Sequence, residues 1–310
     1  MAHDHAGHSH GLSAQADRRQ LTAALAVLVC FMGLEIGAGV VAHSLALLSD
    51  AAHMLTDAAM LGLSIVALAL AARPPRGALT FGLRRVEILS ALANGVTLLV
   101  LAAFVVYDAL ARLVHPPRVH GALVLAVALV GILINLLVVW MIARADRRSL
   151  GVEGSFQHVL TDVYGFIGTA IAAGVILASG FQRADPIASL AIAALMARSG
   201  VALVLASGRV FLEAAPRGLD PQEIGRALVA EDGVVEVHDL HVWEVTSGFP
   251  ALSAHVLVRA DSDCHLARRR IEAMLRARFD LEHTTLQVDH AGGSEILQLE
   301  IAPGAGAPRE

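Results

Sequence analysis

The chain has 310 residues, is 56% hydrophobic and only 16% charged, with a mean hydropathy of +0.64 and a formal charge of −5. Soluble globular proteins carry about 25% charged residues, and several runs here reach the roughly 20 apolar residues that cross a bilayer as a helix. A purely soluble protein is therefore excluded, and a multi-span membrane protein with a more polar tail is expected.

Residues 1–20 are polar, carry His3, His5, His8 and His10, and are expected to be disordered, with weak, exposed metal binding as one reading of the histidines. They lack the short apolar core of a cleaved signal peptide. Cys30 and Cys264 fall in different contexts, which argues against a disulfide framework. Six apolar runs follow at 21–41, 45–72, 86–113, 121–143, 151–179 and 187–210, giving a transmembrane domain over 21–213. All 23 basic residues are arginine. Arg18, Arg19, Arg73, Arg76, Arg84, Arg85, Arg144, Arg147 and Arg148 fall on one side, against Arg112, Arg118 and Arg183 on the other. The positive-inside rule then places both termini and the tail in the cytoplasm.

The second and fifth runs carry a repeated motif. His53-Met54-Leu55-Thr56-Asp57 returns as His158-Val159-Leu160-Thr161-Asp162. Residues four apart lie one turn along the same helix face. Asp57 and Asp162 each sit about 18 Å from the start of their own helix, at 1.5 Å per residue, and hence at one depth. Matched motifs in two three-helix halves that run in opposite directions suggest an inverted repeat with a midplane site. Two imidazoles and two carboxylates suit a tetrahedral divalent metal such as zinc. A buried His–Asp pair gluing helices is the plainer reading for one motif, but four ionisable groups in lipid are costly without a ligand. Asp50 shares the first stripe; Gly151, Gly154, Ser155, Gly165 and Thr169 share the second and permit close approach of a neighbour. Glu35, Asn94 and Asn135 read as interhelical hydrogen bonders, and Arg198 as snorkelling or paired.

Residues 214–290 read as a small soluble α+β domain in the order helix, strand, strand, helix, strand. Asp220-Pro221 is a helix start. Strands are expected over 234–246, 251–260 and 284–290, with Leu252, Ala254, Val256 and Val258 facing inward. A second helix is spaced by Ile271, Met274 and Leu275. His238, His241, His255, His283 and Asp289 lie on or beside strands, where a cluster at the sheet surface could bind metal; Cys264 joins it or is a surface thiol. Residues 291–310, rich in Gly, Ala and Pro, are expected to be disordered.

Two carboxylates neutralise a divalent cation, so a loaded site is cheap to keep in low dielectric. When the ion leaves, protons can replace its charge, and this competition is a physical basis for metal/proton exchange. An intramembrane metalloenzyme would need an open coordination position and a general base, and His-Glu-x-x-His is absent. A membrane sensor does not need so many spans.

The chain resembles the cation diffusion facilitator family of the zinc-transporting type. The resemblance rests on Ser44 to His53 with Asp57, on Thr80-Phe81-Gly82-Leu83-Arg84-Arg85 with Glu87, and on His158 with Asp162. It continues through Ala184-Asp185-Pro186-Ile187 and His238-Asp239-Leu240-His241-Val242-Trp243. It implies a polytopic α-helical membrane protein with six transmembrane helices and a C-terminal cytoplasmic metallochaperone-like, ferredoxin-like α+β domain. It also implies a homodimer in the bacterial inner membrane that exports divalent metal against protons, with lipid but no nucleic acid as partner, and no enzyme activity. His53, Asp57, His158 and Asp162 become the transport site, and His238, His255, His283 and Asp289 the cytoplasmic site, with Zn2+ as cargo and regulatory ligand. Cadmium, cobalt, nickel or manganese are alternative cargoes. The 73–79 linker lacks His, Asp, Glu and Cys, so a further site found there in some relatives is not expected.

Overall fold

The computed structural model describes residues 10–41, 45–115, 121–144 and 150–292; within them, the side chains of 10–18, 35, 38–41, 45–53, 56 and 123 lie outside the description. The other residues of the expected N-terminal and C-terminal disordered segments, and His3, His5 and His8 with them, lie outside the described residues. The chain divides into two units, one of residues 1–214 with 244–249, the other of residues 215–243 with the rest of the tail.

The first unit contains α1 (His10–Val41), α2 (Leu45–Ala71), α3 (Val86–Val114), α4 (Gly121–Ile142), α5 (Leu150–Ser179) and α6 (Ala184–Phe211). Each expected apolar run is a helix. Two starts differ from expectation. α1 begins at His10 and not at residue 21, because 14–20 holds alanine, glutamine and arginine at every position but Asp17, and these favour helix whether or not they are apolar. α6 begins at Ala184 because a proline is tolerated in a first helical turn, where its missing N–H has no intrahelical acceptor. Asp185 in the same turn favours the positive end of the helix dipole.

Among the described residues four helices are long and apolar enough to cross a membrane: Val86–Val114, Val124–Ile142, Leu150–Ser179 and Ala184–Phe211. Over the residues whose side chains are described, α1 and α2 add the apolar stretches Arg19–Leu34 and Asp57–Ala71. The unit is apolar outside and partly polar inside. Tyr107, Leu34, Phe104 and Leu133 are 75%, 71%, 69% and 68% exposed, whereas Ser64 and Asn94 are fully buried. So much outward apolar surface would associate in water and suits a lipid surround.

Leu21 and Leu28 of α1, Met54 and Leu61 of α2, Val138 and Ile142 of α4, and Val152 and Val159 of α5 form one core cluster. Leu98 and Ala102 of α3 pack with Met196 and Leu203 of α6 in another. The α3–α6 contact is close because both helices present glycine. A Cβ on Gly200 would stand 2.9 Å from the Gly95 carbonyl oxygen and 2.8 Å from Leu99.

The second unit follows the expected order: α7 (Pro221–Val229), β1 (Val234–Glu244), β2 (Pro250–Val258), α8 (Cys264–Phe279) and β3 (His283–His290). Asp220 caps α7 by accepting from the Gln222 N–H, and Asp263 caps α8 by accepting from the His265 and Leu266 N–H groups. The sheet order is β1-β2-β3, and β2 runs parallel to β3 with Leu252 opposite Thr284 and Val256 opposite Val288. Two parallel strands need a crossover, which α8 supplies. Leu252, Ala254, Val256 and Val258 face the core with Ile224, Leu228, Ile271 and Leu275. The other sheet face is left open to carry histidines.

Gly200→Ala should therefore lower the thermal midpoint of the purified protein in detergent, by about 1–3 kcal/mol of stability. Gly208→Ala, where nothing lies within 4 Å of the new methyl, should be neutral or slightly stabilising, as a better helix former. Equal effects at both positions would show that the α3–α6 contact is not limiting.

Candidate functional site

The motif repeats place their polar side chains on two helices that pack together, α2 and α5. Asp57 projects from α2 and is 7% exposed; His158 projects from α5 and is 2% exposed. His158 Nε2 lies 2.8 Å from Asp57 Oδ1 in a hydrogen bond that the carboxylate accepts. Asp162, one turn beyond His158, holds its Oδ2 3.9 Å from the same nitrogen. One ligand atom from each of these three residues lies within 4.8 Å of the others. In a tetrahedral zinc site with bonds of about 2.0–2.1 Å, neighbouring ligand atoms stand about 3.3 Å apart. The three groups therefore need only draw together slightly to hold such an ion. His53 lies one turn before Asp57 on the α2 backbone, and its side chain, like those of Asp50 and Glu35, lies outside the described residues.

The remaining intramembrane polar residues sort by contact. Asn94 Nδ2 donates to Ser64 Oγ at 3.4 Å and so links α3 to α2, as interhelical bonding requires. Asn135 instead donates to the Gly131 carbonyl of its own helix at 3.1 Å. A helix can satisfy such an amide internally, and sequence does not tell the two choices apart. Arg198 lies on the exposed side of α6, where its chain can run along lipid toward the interface. Three buried serines escape sequence reasoning. Ser155 Oγ donates to Ser64 Oγ at 2.8 Å, and Ser90 Oγ lies 3.4 Å from Ser64 Oγ. The only signal available was Ser155 in the small-residue stripe of α5 and the two-turn spacing of Ser64 from Asp57.

The second unit holds another cluster. His238 on β1 and His255 on β2 meet edge to face, with ring centroids 5.1 Å apart. Asp239 Oδ2 lies 3.4 Å from His238 Nδ1 and 3.8 Å from His255 Nδ1, a group able to hold a metal. Asp239 has φ of 50°, the left-handed region that an aspartate tolerates better than most residues. This kink breaks the alternation of β1 and leaves both His238 and Asp239 exposed. His255 is opposite Gln287 on β3, while His283 is opposite Ala251 and Asp289 opposite Leu257. His283 is thus displaced about 13 Å along the sheet from His255, and Asp289 about 7 Å, at 3.3 Å per residue. Both share the open face with His255, but neither joins the cluster; Asp289 Oδ2 accepts from Gln287 Nε2 at 2.8 Å. His241 also stays outside it, and Cys264 packs against the domain core.

Two family models match the chain. The cation efflux transmembrane domain covers residues 21–212, and the cation efflux protein cytoplasmic domain covers residues 216–291. The chain is 34% identical to a protein of Bacillus velezensis named cadmium, cobalt and zinc/H(+)-K(+) antiporter, over 92% of each chain. It is 36% identical to the zinc transporter ZitB of Escherichia coli, over 94% of this chain and 93% of that one. It is 35% identical to the metal cation efflux system protein CzcD of Cupriavidus metallidurans, over 92% and 90%.

The Asp57–His158 contact has a consequence for stability. Removing one partner leaves the other buried without its hydrogen bond, at a cost of about 1–3 kcal/mol. Asp57→Ala and His158→Ala should each lower the unfolding midpoint, and the double replacement should cost less than the sum of the two. Strict additivity in that cycle would mean the two side chains do not interact.

Proposed function

Because the chain belongs to the cation efflux family it is a membrane transporter and not an enzyme, and we propose that it exports zinc from the cytoplasm in exchange for protons. The observation that carries this is the group of buried Asp57 and His158 with partly buried Asp162 on two packed helices. His53, one turn from Asp57, is the proposed fourth ligand. Four protein ligands fill a tetrahedral site, which suits carriage and leaves no position for a hydrolytic water. Imidazole and carboxylate accept cadmium and cobalt as well, since raw affinity discriminates poorly among such ions. The names of the relatives support both ions as further cargo.

The rest of the reading follows the same family. Six helices cross the bacterial inner membrane, α1 and α2 among them, with both termini cytoplasmic by the distribution of arginine. The protein works as a homodimer, a reading supported by the match of its tail to the family's cytoplasmic domain model. His238, Asp239 and His255 form a cytoplasmic zinc site with a regulatory role. His283 and Asp289 lie on either side of His255 and about 20 Å apart along β3, at 3.3 Å per residue, so they do not share one ion and stand outside this site.

Zinc flux into proteoliposomes under an imposed pH gradient tests the transport reading. Wild type should carry zinc in a gradient-dependent way, and Asp57→Ala and Asp162→Ala should abolish it. Flux in both variants equal to wild type would make the paired motif structural. The cytoplasmic site is tested by equilibrium dialysis of the whole protein. His238→Ala with His255→Ala should lose about one equivalent of bound zinc, and His283→Ala alone should retain it. Unchanged zinc content in the double variant would remove that site.

A further inference from the structure

Ser64 lies two turns from Asp57 on α2, and Ser155 lies one turn from His158 on α5. Their hydroxyls are in direct contact: Ser155 Oγ donates to Ser64 Oγ at 2.8 Å. Ser64 Oγ is also tied to its own helix, donating to the Met60 carbonyl at 3.2 Å, and it accepts from Asn94 Nδ2 of α3. Ser64 and Asn94 are fully buried and Ser155 is 3% exposed. One oxygen atom is therefore the junction of α2, α3 and α5, within two turns of the groups that would hold the cargo.

We propose that this hydroxyl junction sets the spacing of α2 and α5 and thereby the size of the metal that the site accepts, which makes Ser64, Ser155 and Asn94 selectivity-determining positioning residues. The proposal rests on the reading of Asp57, His158 and Asp162 as the cargo site. Its logic is geometric. Zinc and cadmium carry the same charge and accept the same nitrogen and oxygen ligands, so a site of fixed composition separates them by geometry. Aspartate has a short side chain, and two of the four proposed ligands are aspartates, one on each helix, so changes in helix spacing pass almost undiminished to those ligand atoms. A serine–serine contact is about the closest polar approach two helices can make. An added methyl at either residue widens the gap and favours the larger ion.

A second observation separates this from simple glue. Asn94 Oδ1 is buried with no hydrogen-bond partner among the described residues. An unsatisfied buried acceptor costs stability, so the amide is not placed for stability alone. Its position over the Ser64–Ser155 pair braces the junction from a third helix.

The test compares zinc and cadmium uptake, measured separately, in proteoliposomes holding wild type, Asp57→Ala, Ser64→Thr or Ser155→Thr. Threonine keeps the hydroxyl and adds one methyl. Each threonine variant should lower the zinc-to-cadmium ratio of kcat/KM about tenfold, the scale on which residues supporting metal ligands act. The change should come through a higher KM for zinc, with kcat for cadmium retained. Asn94→Ala should shift the ratio in the same direction by less. An unchanged ratio, whether both fluxes persist or fall together, overturns the proposal, as does loss of all transport in every variant. Persistence of zinc flux in Asp57→Ala instead sinks the underlying reading of the site, and is told apart because it appears without any change at the serines.

Discussion

The contact on which the rest of the transmembrane unit depends is the hydrogen bond between Asp57 and His158 across α2 and α5. Neither residue belongs in an apolar interior, where a lone ionised group costs several kcal/mol even after relaxation. Each is tolerable only because the other is there, with Asp162 close behind. The helices must therefore meet at these positions and in this rotation. Apolar packing among Met54, Leu61, Val152 and Val159 on the same two helices could tolerate a slide of one turn; a single buried polar pair could not. The motif thus specifies register as well as chemistry.

The composition of the unit follows from that demand. Many bulky apolar side chains face outward, while small and polar ones sit inside beside a core of leucine, valine and isoleucine, because lipid offers no hydrophobic gain for burying leucine against leucine. Close contact must then come from small residues. Gly95 against Gly200 does this for α3 and α6, and Ser64 against Ser155 does it for α2 and α5. The two solutions differ in kind. Glycine contact is satisfied by shape, whereas the serine contact is directional and draws Asn94 of α3 into the same polar junction.

Much of this was legible in the sequence, for identifiable reasons. Long apolar runs show themselves by length, and a His–Asp spacing of four shows a shared helix face. The alternation of Leu252 to Val258 gave the inward face of β2 and, by parity, placed His255, His283 and Asp289 on the open one. Parity cannot give register, however. The offset of His283 from His255 is set by which residues of β2 and β3 pair, and that depends on the α8 crossover. Asp239 was hidden because its role follows from a left-handed backbone that breaks the strand pattern. The start of α1 was misplaced because apolarity marks where a helix can meet lipid, and not where helical backbone begins. Ser64 was hidden because serine is common and only contact distinguishes it.

The two metal-capable clusters have nearly the same chemistry and opposite surroundings, which suits the different roles proposed for them. Each offers imidazole and carboxylate within a few ångströms. Asp57 and His158 are nearly sealed from solvent, while the side chains of His238, Asp239 and His255 are 42%, 68% and 44% exposed. An exposed cluster exchanges ions with its surroundings directly, so its occupancy follows the local metal concentration. A sealed cluster exchanges only when the helices around it move, so the ion's arrival and departure can be assigned to different states of the protein. Transport requires the second property and sensing requires the first. A burial difference at constant ligand type is therefore enough to divide one chemistry between carrying an ion and reporting it.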